Sequence, residues 1–541
     1  MFNKNCVKEK SHEKNNKYSL IVLALAAVFI LIGCNKKDKQ TAATKQVMES
    51  QKARTVITTD GEVDDMDSMI RYFYYANEMK LEGIVITSST YHYAGDSAKG
   101  IKPYRWTGTD WIYDMLDDYE KIQPNLAKHA KGFPTADSIR KNTKIGNIKN
   151  VGEMEEVTEG SEFLKNLFLN DDDSPLYVQT WGGTNTTARA LKSIEEEYKN
   201  KSNWKDVQKK IYKKLILYII LDQDDSYKNY IQKSWPKLKV INDQSNFWHF
   251  AYAWKFHSDE VNSYLQGEWN RKNIQKDHGP LLDKYALMGD GKVVPGELEE
   301  EQRGSAAYLE KNPQYKKYDF ISEGDSPSYF YLFNNGLQDR MQPTYGGWGG
   351  RFGLVNDNLY QNTVLDYNPY SKRFEAEYTL TRWFDDIQRD FAARADWGIA
   401  DKYEDANHAP IASVKEGLEL KAKVGEKVTL TGQGKDPDQD NLTYKWWRYF
   451  EADTYQEYHG TSKPISDKDK NEAGLQLSLY RELDKGEVVD PVKLTGANTE
   501  KVSFTIPKDA KKGDTFHLIL EVQDDGEHQL KGYQRVIITV E

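Results

Sequence analysis

The stretch Thr55-Val56-Ile57-Thr58-Thr59-Asp60-Gly61-Glu62-Val63-Asp64-Asp65-Met66-Asp67 decides how the chain reads. It opens as a β-branched run and ends in a burst of carboxylates. Met66, Met69, Ile70, Phe73 and Tyr74 then recur at helical spacing. The reading is strand, acidic turn, helix. In an open α/β sheet, ligands bind at the carboxyl ends of the strands. Five acids between positions 60 and 67 repel one another unless a cation sits among them. A hard divalent cation with oxygen ligands meets that need, and calcium suits a carboxylate cage better than zinc does. The alternative is a solvated acidic loop at a helix N-terminus, which the helix dipole favours. Spacing alone leaves both open.

Downstream, the same kind of unit recurs. Residues 81–87 read as a second strand with Ser88, Ser89 and Thr90 at its end. Strand–helix–strand order implies a parallel, right-handed unit. Tyr91, His92 and Tyr93 stand where they can line the same pocket, although a lone histidine also reads as a packing residue. Residues 104–119, with Trp106, Trp111, Tyr113 and Met115, read as an aromatic helix or lid. A helix is expected through Phe168, with Ser161 able to cap it. Residues 175–180 form a buried strand running into Trp181-Gly182-Gly183-Thr184-Asn185 and another helix. Residues 215–221 are a strongly apolar strand ending in Asp222-Gln223-Asp224-Asp225. That end should open onto the same rim, making Gln223 and Asp224 candidate substrate contacts; Asp225-Ser226 also reads as a plain helix start. His278, in Asp277-His278-Gly279-Pro280, is the acid candidate among the histidines, with a structural role as the alternative. The glycine-rich loop 343–352 offers Trp348 as a substrate wall. A helix over 378–397 closes the domain.

The chain has 541 residues, too many for one ordinary domain. A net charge of -10 gives no electrostatic case for nucleic-acid binding. Thirteen Trp and 35 Tyr supply rings that can stack on sugars, though most should be core and rim residues. Lys4, Lys8, Lys10, Lys14 and Lys17 precede an apolar run, 20–32, too short for a typical membrane span. It ends Leu31-Ile32-Gly33-Cys34, which resembles a bacterial lipobox; an uncleaved anchor is the alternative. Cys34 is therefore expected to be lipidated, holding the protein at the bacterial cell envelope by its lipid alone. Cys6 falls in the removed part, so the mature chain has no disulfide. Expected boundaries are 1–33 signal peptide, 34–52 tether, 53–402 α/β domain and 403–541 C-terminal domain. Beyond Asn407-His408-Ala409-Pro410 the pattern turns β-rich, at 428–430, 442–446, 502–506, 516–522 and 533–540, as a β-sandwich does. The turns at 434–440 and 523–526 resemble those of bacterial Ig-like modules.

Asp60, then Asp64, then Asp65 resembles the N-terminal signature of the nucleoside hydrolases, Asp-x-Asp-Pro-Gly-x-Asp-Asp. Thr58, Gly61 and Glu62 depart from it. The whole chain is closer to a group of secreted bacterial nucleoside hydrolase-like proteins, some labelled cellulose-binding, that add a C-terminal β-domain. The resemblance implies an open, mostly parallel sheet flanked by helices, followed by an all-β Ig-like sandwich. It implies calcium held by Asp60, Asp65, the Thr184 carbonyl and Asp325. Asp325 matches the family's late Asp, with Gly324 where a His stands in the family. It also gives Asp60 the role of base toward water and Asp64 that of hydrogen-bonding the sugar. Thr90 falls near the family's sugar-holding Asn, and Asn185 lies in the matching glycine turn. Such a site would act on cis-diol glycosides by inverting displacement through an oxocarbenium-like state. The leading expectation is a calcium-dependent glycosidase acting on a glycan-derived substrate. The alternatives are a non-catalytic binder of a cellulose-like polysaccharide and a nucleoside N-ribohydrolase.

Overall fold

The computed structural model describes residues 52–455 and 492–541. Cys34, the signal segment and the tether lie outside the described residues. The β-branched run forms β1 (Ala53–Thr59), buried at every position. Successive side chains of a strand point to opposite faces, and β1 serves two cores. Val56 packs with Val85, Val178, Leu217 and Ile219, whereas Ile57 packs with Ile84, Ile86, Tyr177 and Tyr218. A strand covered on both faces reads as a continuous apolar run rather than an alternating one.

β1 pairs in parallel with β2 (Met79–Ile86) on one side and β4 (Leu176–Thr180) on the other. β3 (Thr143–Ile145) lies outside β2. β5 (Leu215–Ile220), β6 (Lys239–Asp243), β8 (Leu359–Gln361) and β7 (Gly353–Leu354) continue beyond β4, and only β7 runs antiparallel to its neighbour. This is the expected open, mostly parallel sheet. α1 (Val63–Tyr74) and α2 (Trp111–His129) bury their apolar faces in one core. α3 (Glu159–Leu169), α4 (Asn185–Tyr198) and α5 (Trp204–Lys214) do so in the other. α6 (Phe384–Ile399) returns to the first core through Ile387, Phe391 and Ala395.

Several boundaries differ from the sequence reading. The aromatic segment from 104 is irregular until α2 starts at Trp111. Thr158, not Ser161, caps α3; Ser161 answers it in a reciprocal capping box. The helix expected over 378–397 breaks into Tyr378–Thr381 and α6. The aromatic run from 247 makes two 3-10 turns, Asn246–His249 and Trp254–Phe256. The Asp243 carboxylate bends the chain there by accepting the N–H groups of Ser245, Asn246 and Phe247.

After residue 410 the described chain is β-strands and turns, with one 3-10 turn at Phe450–Ala452. Ile411–Val414, Lys427–Lys435 and Lys501–Thr505 form one sheet; Glu419–Ala422, Lys531–Val540, Thr515–Gln523 and Thr443–Arg448 form the other. Leu430, Val502 and Phe504 of the first meet Leu518, Leu520 and Ile538 of the second in one core. The sandwich also helps close the α/β domain. Its Tyr449, Ile519 and Tyr533 belong to the same apolar cluster as α1 and α6. Tyr449 donates its hydroxyl to Asp366 at 2.5 Å, and Arg535 Nε donates to the Leu337 carbonyl at 2.5 Å.

Candidate functional site

β2 and β3 follow β1 on one side of the sheet, while β4, β5 and β6 lie on the other. The order therefore reverses at the C-terminal end of β1, and clefts at such switch points are where these sheets bind ligands. The acidic turn emerges there. Gly61 has φ +79°, and a Cβ on it would come within 2.7 Å of the Thr107 hydroxyl and 2.9 Å of Trp111 Nε1. Only glycine lets the turn pack against α2 in this conformation. α1 then begins with Asp64 and Asp65 in its first turn, where the helix N-terminus favours carboxylates.

Asp325, just ahead of the short helix Ser326–Phe330, comes to the same place. Single oxygens of Asp64, Asp65 and Asp325 lie within 4.8 Å of one another. Asp65 Oδ1 accepts the Thr59 hydroxyl and the Asp60 N–H. By contrast, both oxygens of Asp60, Oδ1 of Asp64 and Oδ2 of Asp325 are buried without a hydrogen-bond partner. Burial, then repulsion from Asp65 and Glu62, pushes the Asp60 carboxyl well above the usual range. Burial and Asp65 push Asp64 up to about 7. Burial also raises the Asp325 carboxyl well above the usual range, with repulsion from Asp65 and Asp64 adding to it. Buried polar groups are normally hydrogen-bonded, so this arrangement wants a positive partner. Its donors are all oxygen, the chemistry a calcium ion takes.

Glu62, Asp64 and Asp325 open on a pocket of about 190 Å³. Trp181, Phe247, Trp248 and Tyr252 supply aromatic walls, and Arg105, Glu301 and Arg303 complete the polar lining. Arg105 pairs with Glu297 and Glu301 at 3.0 Å, and Arg303 with Glu297. The Arg303 guanidinium also lies 4.6 Å from the centre of the Tyr252 ring. Through Tyr91, Leu221 and Gln223 the pocket adjoins a more open groove of about 350 Å³, which Thr90, Asp222, Asp224 and Asp225 line. His92, 1% exposed, sits 3.7 Å from Glu62, and burial drives its pKa down to about 3, so the ring is neutral.

The structure thus brings Asp60, Asp64, Asp65 and Asp325 together, puts Gln223 on both pocket and groove, and puts Thr90 and Asp224 on the groove. Thr184 stands in the turn after β4, two residues beyond Gly182, which packs against Asp60, whereas Asn185, His278 and Trp348 lie off the pocket. Thr184 gives its carbonyl to the Ala188 N–H as the first acceptor of α4, and its hydroxyl donates to Asp224 at 3.1 Å. Its carbonyl, an acceptor with a second lone pair, remains a proposed cation ligand. Asn185 is buried behind the groove, donating from Nδ2 to Ser88 Oγ and the Asn147 carbonyl and from its backbone to Asp224. It braces the groove rather than lining it. His278 is not a pocket residue; its Nε2 pairs with Asp396 at 3.2 Å. Trp348 is only 4% exposed, and its ring packs against Phe333 and Tyr533 under the β-sandwich. Glycines around it tighten the loop onto the core instead of freeing it as a wall. Gly324 is also explained, since a Cβ there would reach Asp64 Oδ2 at 2.9 Å.

Sequence reasoning missed Arg105, Glu301, Arg303 and Tyr252. They sit in long connections without a periodic signal, Glu301 at the end of the 3-10 turn Glu299–Glu301. Glu62, where the chain departs from the family pattern, is a further site residue that the pattern does not single out.

Residues 54–352 match the family described as "Cellulose-binding Sde182, nucleoside hydrolase-like domain", and residues 427–540 match "Cellulose-binding protein Sde0182, C-terminal domain". Among solved structures, the chain is similar to a nucleoside hydrolase-related hypothetical protein from Saccharophagus degradans described as associated with carbohydrate metabolism. Identity is 25%, coverage is 91% of this chain and 100% of that one, and the TM-score is 0.62. An inosine-guanosine nucleoside hydrolase (11% identity; 57% of this chain, 85% of that one; TM-score 0.26) and a PKD domain from the KIAA 1837 protein (19%; 25% and 92%; TM-score 0.14) superpose too loosely to bear on function. No curated protein matches the sequence.

Proposed function

The chain belongs to the cellulose-binding Sde182 family with a nucleoside hydrolase-like domain, and from that premise we propose that it is a calcium-dependent glycosidase acting on a glycan-derived substrate. The observation that carries the proposal is the set of buried, unpartnered carboxylate oxygens of Asp60, Asp64 and Asp325 at the sheet's switch point. Asp60, Asp65, Asp325 and the Thr184 carbonyl would hold the ion. A calcium ion there supplies positive charge and Lewis acidity toward water and vicinal hydroxyls.

The chain's own residues do the rest. Asp60, fully buried and beside the ion, is the base that would take the proton of the attacking water, with the Ser89 hydroxyl next to it. Asp64 reaches into the pocket and accepts a sugar hydroxyl. Trp248, Tyr252 and Tyr91, which line the pocket and keep exposed surface, offer aromatic surface to the apolar side of a sugar, above the buried Trp181 and Phe247. Gln223 stands between pocket and groove, and a longer glycan would follow the groove past Thr90 and Asp224. The pocket volume favours a single sugar unit at the cation, so the glycan would be engaged at its end. Lipidation at Cys34 would present this site at the bacterial cell envelope.

One observation favours a non-catalytic carbohydrate-binding protein instead. Gly324 carries no side chain where the nucleoside hydrolases hold a histidine for the leaving group, and His278 lies away from the pocket. That same lack counts against nucleosides as the main substrate. The test is the purified chain with added calcium, assayed on glycans, oligosaccharides, aryl glycosides and nucleosides for reducing sugar and released base. Turnover of glycosides is expected. Calcium-dependent glycan binding with no turnover would establish the binding protein, and turnover confined to nucleosides would overturn the substrate class.

A further inference from the structure

The site contains two triads of oxygen donors. One comprises Asp64, Asp65 and Asp325; the other comprises Asp60, Glu62 and Asp65, again with one oxygen of each within 4.8 Å of the others. Calcium–oxygen distances of about 2.3–2.6 Å separate two ligands of one ion by at most about 5 Å. Each triad is compact enough for an ion of its own, and Asp65 belongs to both.

The unpartnered oxygens are distributed over both triads. Asp60 belongs to one triad and Asp64 and Asp325 to the other, and each of the three has a buried carboxylate oxygen without a hydrogen-bond partner. Asp60, Asp64, Asp65 and Asp325 are each no more than 8% exposed, so water does not solvate them as it would a surface cluster. Charge points the same way. Five carboxylates meet here, and the nearby cations Arg105 and Arg303 are already paired with Glu297 and Glu301. With all five ionised, one divalent ion would leave three negative charges and a second would leave one, beside the partial pull of Arg105 on Glu62 and of Arg303 on Asp64. Uncompensated buried charge is strongly destabilising.

We propose that Glu62 completes a second cation position with Asp60 and Asp65, so that the centre takes two divalent ions of the calcium class bridged by Asp65. The inference rests on the cation reading of the site given above; it leaves Asp65 and Asp325 on the first ion with Asp64 beside them, and assigns Asp60 with Glu62 to a second ion. Because Glu62 lines the pocket, the second ion borders the substrate space. There it can meet a pair of sugar hydroxyls or a carboxylate on the glycan.

The test is stoichiometry, independent of any activity. The full chain, stripped of metal and titrated with calcium by calorimetry, with elemental analysis as a check, should take up at least two equivalents. Glu62→Gln should take up one fewer than the wild type, and Asp65→Asn two fewer. The acidic turn holding Asp436, Asp438 and Asp440 is also compact enough to attract an ion, so the loss on mutation is the decisive quantity. A wild type that binds one equivalent overturns the second position and leaves the single-ion reading intact. No binding overturns both. A Glu62→Gln variant with the full wild-type count places the extra ion elsewhere and also overturns the proposal. Should that variant not fold, Glu62→Gly, the residue of the family pattern at this position, replaces it with the same expected loss.

Discussion

Arg71 and Glu323 form a fully buried ion pair. Nε of Arg71 lies 2.5 Å from one carboxylate oxygen of Glu323 and its NH2 group 2.7 Å from the other, and both side chains are 0% exposed. Arg71 is on α1, whose first turn carries Asp64 and Asp65, and Glu323 stands two residues before Asp325. The pair therefore ties together the two chain segments that supply the acids. Gln388 and Tyr285 complete its hydrogen bonding, as a buried pair requires.

Breaking the pair leaves one charge buried without its partner. Glu323→Ala and Arg71→Ala should each cost about 3–5 kcal/mol of stability, read from denaturant unfolding. Calcium affinity should fall with it, because Asp325 loses its anchor. Unchanged stability in both variants would refute the role given to this pair.

Asp65→Asn keeps the side chain's size and removes its charge. Altering groups that merely orient a ligand typically costs about 10–100-fold in metal affinity, so removal of a shared ligand should cost at least that. The measurement is calcium titration of the purified variant, with circular dichroism to show that the fold persists. Wild-type affinity would remove Asp65 from the ligand set.

If the chain turns over a glycoside, Asp60→Asn should lower kcat by about 10²–10⁴-fold, the typical worth of general-base catalysis. Asp64→Asn should act mainly on KM by weakening the grip on the sugar. Steady-state kinetics at saturating calcium separate the two. An Asp60→Asn variant with wild-type kcat would exclude it as the base.

Tyr449 of the β-sandwich donates to Asp366, which Arg351 and Arg382 also hold. Burial pushes the Asp366 carboxyl up, but the two guanidiniums and this hydroxyl outweigh burial and keep it below its ordinary value. Tyr449→Phe retains the ring in the shared core and deletes one bond to a buried charged acceptor, for about 1–3 kcal/mol. Thermal unfolding should shift as one transition. Loss confined to a separate C-terminal transition would show that the shared core does not couple the two parts.

Asp339 supplies a pH test away from the candidate metal site. Burial raises its carboxyl from 3.8 to about 7, against the opposing pull of Arg535 and Arg340. A raised pKa in the folded state means a stability contribution fully present below about pH 4 and lost as pH rises through about 7. At about 1.4 kcal/mol per pH unit, the whole effect reaches at most about 4 kcal/mol. Asp339→Asn cannot ionise, so with calcium saturating it should gain stability relative to wild type between pH 4 and pH 8. A difference between the two proteins that stays flat over that range would contradict the raised pKa.

Where a residue type and its local pattern carry the same message, the sequence is legible. β1, its acidic turn and α1 are local: a β-branched run, a glycine that takes positive φ, and a helical apolar stripe. The strands at 176–180 and 215–220 are equally plain, because strands buried on both faces must be apolar throughout. The acids at strand ends were readable for a related reason. Parallel strands joined by right-handed crossovers bring all their C-terminal ends to one rim, so order along the chain already implies assembly in space.

His278 and Trp348 show where that logic stops. Each sits beside glycines in a loop, and nothing local distinguishes a loop that forms a pocket wall from one that packs under a neighbouring domain. That depends on what the β-sandwich covers, and the contacts of Trp348 with Tyr533 span 185 positions of sequence. Arg105, Tyr252 and Arg303 reach the pocket from irregular segments that carry no periodic signal. The sequence by itself determined the sheet, the rim on which the acids gather and the chemical hardness of their donors, because these follow from residue type and short-range order. Only the tertiary structure decided which oxygens are left without partners, that Glu62 joins Asp60 and Asp65, and which loops face the pocket. The loops that face the pocket depend on packing between segments hundreds of residues apart, and even within the turn the side-chain geometry that sets Glu62 beside Asp60 and Asp65 is not encoded by the order of residue types.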